Sequence, residues 1–382
     1  MKSTTRNVGL TVLVIIGVAG VLMTARIGAH AAGTPSSPAS GSTTPDEFVR
    51  ATVVAVIGED TRIIAGSSHV VQAVLVRMHA GPDAGRDVHA EYTPLSSSTR
   101  TGALRVGDAV VVTRISDAPN AAYAVVDRYR LPPLLIIFAL FVAAAVFFSR
   151  IRGLTSVMGL AITLLVLARF VVPRILGGAN PLAISLAGAL MIALTSIYLA
   201  HGFSRRTSVA LLGTLITLGL SAGLAIAFVD LAWLSGTGSE EAMFLLLAPE
   251  ASVNLRGLLL GGIILGALGV LDDITTAQAA AVDEISKANP SLSRRELYRR
   301  GLSVGQEHIT SLVNTLVLAY AGASLPLFLL FTLNTDQPFW VTINSEFLAE
   351  EIVRTLVGSV TLILAVPITT GLAARLLGHT HH

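Results

Sequence analysis

"LRGLLLGGIILGALGVLDDITTAQAAAVDEI" (255–285) decides how the whole chain is read. Up to Leu271 it is the greasy, glycine-rich run of a helix that crosses a bilayer. Asp272 and Asp273 then stand side by side, and a mostly apolar stretch, Ile274 to Val282, resumes behind them. A helix starting near Arg256 places Asp272 about 24 Å along its axis, at 1.5 Å per residue. That depth is the inner leaflet or its edge. Ionisable groups in a span cost on the order of 2.5–3.5 kcal/mol each, so they face a protein interior or a water-filled cavity. The plainer alternative is that the two aspartates end the helix at the water interface, paired with Arg299 or Arg300.

The rest of the chain agrees with a membrane setting. Of its 382 residues 53% are hydrophobic and 13% charged, with a mean hydropathy of +0.72. This composition, with repeated apolar runs of about 18 or more residues, specifies a polytopic α-helical membrane protein. A net charge of +2, with no basic stretch interleaved with aromatics, gives no reason to expect nucleic acid. The absence of cysteine removes disulfides, thiol catalysis, zinc-thiolate sites and iron–sulfur clusters.

The N-terminal segment 1–32 has a basic start, "MKSTTR", and about 18 apolar residues. It reads as a retained signal anchor. Ala29-His30-Ala31 has the small-x-small form of a cleavage site, which leaves a cleaved signal peptide as the alternative. Residues 33–47 form a Gly/Pro/Ser/Thr linker. Over 48–128, valine-rich runs alternate with turn signals: "VRATVVAVIG", "HVVQAVLVRM", "RDVHAEY", "GDAVVVTRIS" and "AYAVVDRYR". They predict a small extracytoplasmic β-barrel or sandwich. The membrane domain follows over 131–378, with helices near 131–149, 153–172, 181–200, 207–230, 255–280, 309–331 and 352–377. The total is eight transmembrane helices, or seven if the first is cleaved. Lys and Arg gather in the loops at Arg150 and Arg152, at Arg205 and Arg206, and from Lys287 to Arg300, whereas 332–350 holds acids alone. The positive-inside rule therefore puts the C-terminus in the cytoplasm. Pro326 and Pro367 are read as kinks in the last two helices.

Asp272, Thr276, Ala279 and Asp283 share one helical face. The following membrane helix carries Glu307, Ser311 and Asn314 on one stripe, with His308 and Thr315 beside it. The connecting segment, 285–306, holds a Ser293-Arg-Arg-Glu296 capping box and reads as an amphipathic helix on the cytoplasmic surface. Two antiparallel neighbours would thus bring carboxylates, an imidazole, an amide and hydroxyls to one layer. Adjacent carboxylates repel, which favours a proton on one of them. The same oxygens suit a hard cation such as Na⁺, Mg²⁺ or Mn²⁺.

Three blocks, "LGALGVLDDITTAQAAAVDEI", "GLSVGQEHITSLVNTLVLAYAGASLPL" and "EIVRTLVGSVTLILAVPITT", resemble the YibE/F family of bacterial multi-pass membrane proteins. That resemblance implies the architecture and no settled activity. Gly269-Val-Leu-Asp272-Asp273 is more faintly similar to a helix end of resistance–nodulation–division exporters and their SecD/SecF relatives. There the aspartates carry protons that drive export. The only lysines here are Lys2 and Lys287, so no embedded lysine is available as partner, and His308 takes that place as the candidate. The expected function is a secondary transporter or energy-coupling protein using a proton or cation at Asp272 and Asp273. A non-transporting envelope scaffold with a structural acidic pair is the alternative. No nucleotide-binding, zinc-protease or serine-nucleophile motif points to an enzyme, and no cofactor is evident. The expected partners are the lipid bilayer, a second copy of the chain, and an extracytoplasmic protein or substrate at the β domain.

Overall fold

The computed structural model describes residues 48–64, 67–93, 102–115, 123–248, 253–333 and 338–378. The N-terminal apolar segment and the linker expected over 33–47 lie outside them. The chain divides into two compact units, one over Thr34–Ala144 and one containing Ala145–His382.

In the first unit, β1 (Val49–Ile64), β2 (Ser67–Met78), β3 (Asp87–Tyr92), β4 (Ala109–Arg114) and β5 (Tyr123–Arg128) form a closed barrel in the order β1-β2-β3-β5-β4. Every neighbouring pair is antiparallel except β3 and β5. A five-stranded Greek-key barrel of this order is of the OB type. Closure depends on β1, which pairs with β4 through Val49–Thr52 and with β2 from Ala51 onward. Its register shifts at Val53/Ala55 and Val56/Gly58 bend it from one partner to the other. Period-2 alternation turns Val49, Ala51 and Val53 inward against Val74, Val76, Val110 and Val112. Each valine so buried contributes on the order of 1.5 kcal/mol or more. Gln72, also inside, is satisfied on both ends: its Nε2 donates to Glu59 at 2.9 Å and its Oε1 accepts from the Leu104 amide at 2.7 Å.

The helices are α1 (Leu131–Ser149), α2 (Ile151–Val166), α3 (Val172–Leu176), α4 (Pro181–His201), α5 (Arg205–Leu231), α6 (Glu240–Leu247), α7 (Leu255–Ala288), α8 (Arg294–Ala323), α9 (Leu325–Leu333), α10 (Phe339–Ile343) and α11 (Glu346–Leu376). A wider turn over Leu167–Val171 joins α2 to α3. Six spans among the described residues are long and apolar enough to cross a membrane: α1, the continuous stretch Gly153–Leu176, α4, α5, α7 and α11. The protein is therefore a multi-pass membrane protein.

The structure differs from the expected eight helices around 285–331. Residues 285–288 end α7, and one helix, α8, runs from Arg294 to Ala323 without a break between the surface segment and the expected span. The Ser293 side chain caps it, accepting from the Glu296 amide at 3.3 Å. At Pro326 the helical path is interrupted by the single residue Ser324 and resumes as α9, since a proline ring clashes with the carbonyl one turn back. α8 is not among the six spans. Pro367, by contrast, lies inside an unbroken α11.

In this unit α5, α7 and α11 pack on one another, α4 lies against α7, and α8 lies against α11 and α7. Ile264, Leu268, Leu271 and Ile274 of α7 meet Ile192 and Ile197 of α4, Leu211 and Leu218 of α5, and Val366 of α11 in one core. Small residues set the closeness of the helices. A Cβ on Gly213 of α5 would stand 2.6 Å from the Thr369 hydroxyl of α11.

Candidate functional site

Asp272 sits a little past the middle of α7, where the helix meets α4. Its Oδ2 accepts a hydrogen bond from the Ser196 hydroxyl at 2.9 Å, and its Oδ1 is buried without a hydrogen-bond partner among the described residues. Asp273, about 100° further round the helix at 3.6 residues per turn, is exposed. The expected pair is thus one half-buried carboxylate and one exposed one.

The other expected site residues divide. Thr276 stays close, its hydroxyl donating to the Asp272 carbonyl at 2.8 Å. Asp283 is engaged by Lys287 at 2.6 Å. Glu307, Ser311 and Asn314 lie on the exposed side of α8. His308 is half-buried, with its Nδ1 unpartnered among the described residues. The stripe of α8 that packs inward is instead Leu297, Gly301, Gly305 and Leu316. The helix that meets Asp272 through a hydrogen bond is therefore α4 rather than α8. The pairing with Arg299 or Arg300 considered for the aspartates is not formed: those arginines approach Glu296 at 3.9 and 3.8 Å.

Around Asp272 the buried interior is polar. Thr214 of α5 and Thr275 of α7 share a hydrogen bond of 2.6 Å. One turn further along α7, Gln278 donates through Nε2 to the Gly301 carbonyl of α8 at 2.6 Å and to the Thr370 hydroxyl of α11 at 2.8 Å. Both Gln278 and Thr370 are completely enclosed, at 0% exposure. Four further buried oxygens in these helices, on Ser221, Gln278, Ser359 and Thr369, have no hydrogen-bond partner among the described residues. Buried polar atoms are satisfied in the great majority of cases, so a run of them along one bundle interior is unusual. A cavity of about 210 Å³ opens beside the acidic helix, lined by His201 and Arg206, by Thr207 and Ala210, and by Thr276, Ala277 and Ala280 of α7. Ala277 and Ala280 continue the face of Asp273, and Thr276 follows Asp272, so the cavity reaches to within about one turn of both carboxylates.

Of this arrangement, Ser196, Thr214, Thr275, Gln278 and Thr370 were not among the residues expected from sequence. A signal existed for one contact: Gly301-x-x-x-Gly305 is a small-xxx-small stripe, and it marks the side of α8 that packs.

Comparison with known proteins agrees with this architecture. No curated protein and no solved structure matches the chain. A family model described as "YibE/F-like protein" matches residues 137–379, which takes in α7 with its aspartates, α8 and α11. With more than half of its length under that match, the chain belongs to the YibE/F-like family.

Proposed function

We propose that the protein is a secondary transporter or energy-coupling membrane protein in which Asp272 binds and releases a proton. The observation that carries this reading is the setting of the Asp272 carboxylate: inside a membrane-spanning helix, with one oxygen on Ser196 and the other buried without a partner. Intramembrane ionisable groups of this kind mark proton and ion paths. The hydroxyl- and amide-lined interior along α5, α7 and α11 supplies groups that both donate and accept. The cavity at Thr276 gives an approach from the end of the bundle that carries His201 and Arg206.

A proton is favoured over a metal cation because hard cations take six or more oxygen ligands. Asp272 and Ser196 offer a smaller set. In this reading the protein is no enzyme, it lies in a bacterial plasma membrane with its C-terminus in the cytoplasm, and the barrel receives a substrate or partner outside.

Purified protein in liposomes loaded with a pH-sensitive dye tests the proposal. Wild type and Asp273→Asn move protons on imposition of a membrane potential, while Asp272→Asn falls to the level of empty liposomes. Equal flux through Asp272→Asn and wild type, or no flux through wild type, defeats the coupling role and favours the envelope scaffold.

A further inference from the structure

A second cavity, of about 730 Å³, opens between the first turns of α8 and the last turns of α11. Arg294 and Arg295 stand on one side of it and Arg375 on the other. All three are exposed, and among the described residues no carboxylate lines the space. Among the described residues none of the three has an acidic partner. Glu296, next to them in sequence, turns instead to Arg299 and Arg300. Three like charges face one cavity at the end of the bundle where positively charged residues gather.

The opposite end of the same cavity is apolar. Pro367, Ile368 and Leu372 of α11 form its wall. Arg375 and Pro367 are eight residues apart, which is about 12 Å along a helix. The cavity is therefore cationic at its mouth and greasy along its length. Tyr298 stands between the two regions, its ring ordinary contact distance, 3.8 Å, from where a Cβ on Gly371 would be. Guanidinium groups match phosphate oxygens by their fork of donors. An inorganic phosphate would use only the mouth, whereas an amphiphile uses both ends.

We propose that this cavity binds an acidic membrane phospholipid, its phosphate on Arg294, Arg295 and Arg375 and an acyl chain along Pro367, Ile368 and Leu372. Basic pockets between membrane helices on the cytoplasmic side hold such headgroups in general. The site is separate from Asp272 and stands whether or not that residue couples transport.

The test is the melting temperature of the delipidated full chain in detergent, titrated with phosphatidylglycerol, phosphatidylcholine or inorganic phosphate. Phosphatidylglycerol raises it saturably and the other two do not. Arg294→Gln with Arg375→Gln weakens the phosphatidylglycerol response roughly thirtyfold, the effect of two arginines at an anionic surface. Arg299→Gln with Arg300→Gln removes the same charge outside the cavity and leaves the response intact. Gly371→Leu fills the cavity without changing charge and also abolishes the response, which keeps the proposal testable if the arginine variant fails to fold. An equal shift with phosphatidylcholine, reproduction of the shift by inorganic phosphate, or an unchanged response in the Gly371→Leu protein overturns it.

Discussion

Ser196 shows how little it takes to single out one of two adjacent aspartates. Several buried hydroxyls in the bundle turn back to their own helix: Thr195 donates to the Met191 and Ile192 carbonyls, and Thr361 to Val357. Ser196 reaches across to Asp272 instead. The sequence makes the Asp272-Asp273 doublet obvious and leaves its asymmetry hidden, because which of two consecutive helical residues faces inward depends on the neighbour that receives it. A lone serine in "IALTSIYLA" carries no mark that separates it from Thr195 beside it. The barrel offers a residue-scale prediction of its own. The Tyr123 hydroxyl donates to Asp83 at 2.6 Å and, with the Arg86 guanidinium beside it, holds that carboxyl below the usual carboxylate range. A depressed folded value stabilises the fold above the unfolded carboxylate value of about 3.9 and loses that contribution as pH falls through the folded value. Hydrogen exchange in β5 therefore quickens in acid below about pH 4, after correction for intrinsic rates. The acid-dependent part of that change shrinks in Tyr123→Phe, and an identical acid profile in the two proteins contradicts the assignment.

At the scale of elements, α7, α8 and α11 meet at one knot. Gly301 and Gly305 bring the α8 backbone to Gln278, whose Oε1 would lie 3.0 Å from a Cβ on Gly305. A Cβ on Gly301 would come within 2.7 Å of the Val282 methyl and 3.0 Å of the Thr370 methyl. Gly305→Leu therefore has to part α8 from both α7 and α11, at a cost of about 1–3 kcal/mol for overpacking, read as a lower melting temperature in detergent. Gln278→Leu keeps the size and loses the two hydrogen bonds, with an expected loss of about 1 kcal/mol, since such bonds in membrane proteins are individually modest. A Gly305→Leu protein as stable as wild type contradicts this packing. The five strands and the apolar spans were legible because period-2 alternation and long greasy runs are strong local signals. The rotation of α8 was not. Glu307, Ser311 and Asn314 make a coherent polar stripe, yet two glycines one turn apart allow closer backbone contact than those side chains do, and the close-packed side faces inward.

Across the whole molecule, α11 ties the two ends of the bundle together. At its first turn the Glu346 carboxylate accepts from the Ser235 amide and hydroxyl, both at 2.6 Å, from the Gly236 amide at 3.0 Å and from the Thr237 hydroxyl at 3.0 Å. Glu350, 3% exposed, accepts from the Gly238 amide at 2.8 Å. Gly236 takes a φ of +88°, a left-handed turn that a side chain would strain, and so presents its amide to the carboxylate. At the other end the same helix carries Arg375 to the cavity it shares with α8. Hydrogen bonds to a charged acceptor are worth about 1.5–3 kcal/mol, so Glu346→Ala frees the loop between α5 and α6. Hydrogen exchange at Gly236 and Thr237 then rises at least about tenfold, the factor that 1.4 kcal/mol represents. Unchanged exchange there rejects the clasp.

The barrel's closure carries a different consequence. An open sheet can recruit a peptide by letting it lie down as one more strand, with main-chain amides doing the recognition. A sheet joined to itself has no border to lend. Its one parallel join is that of β3 and β5, which among the described residues pairs Ala90 with Tyr123 and Glu91 with Ala124. A visitor to this barrel is thus greeted by side chains and loops, or else must first unzip that parallel seam.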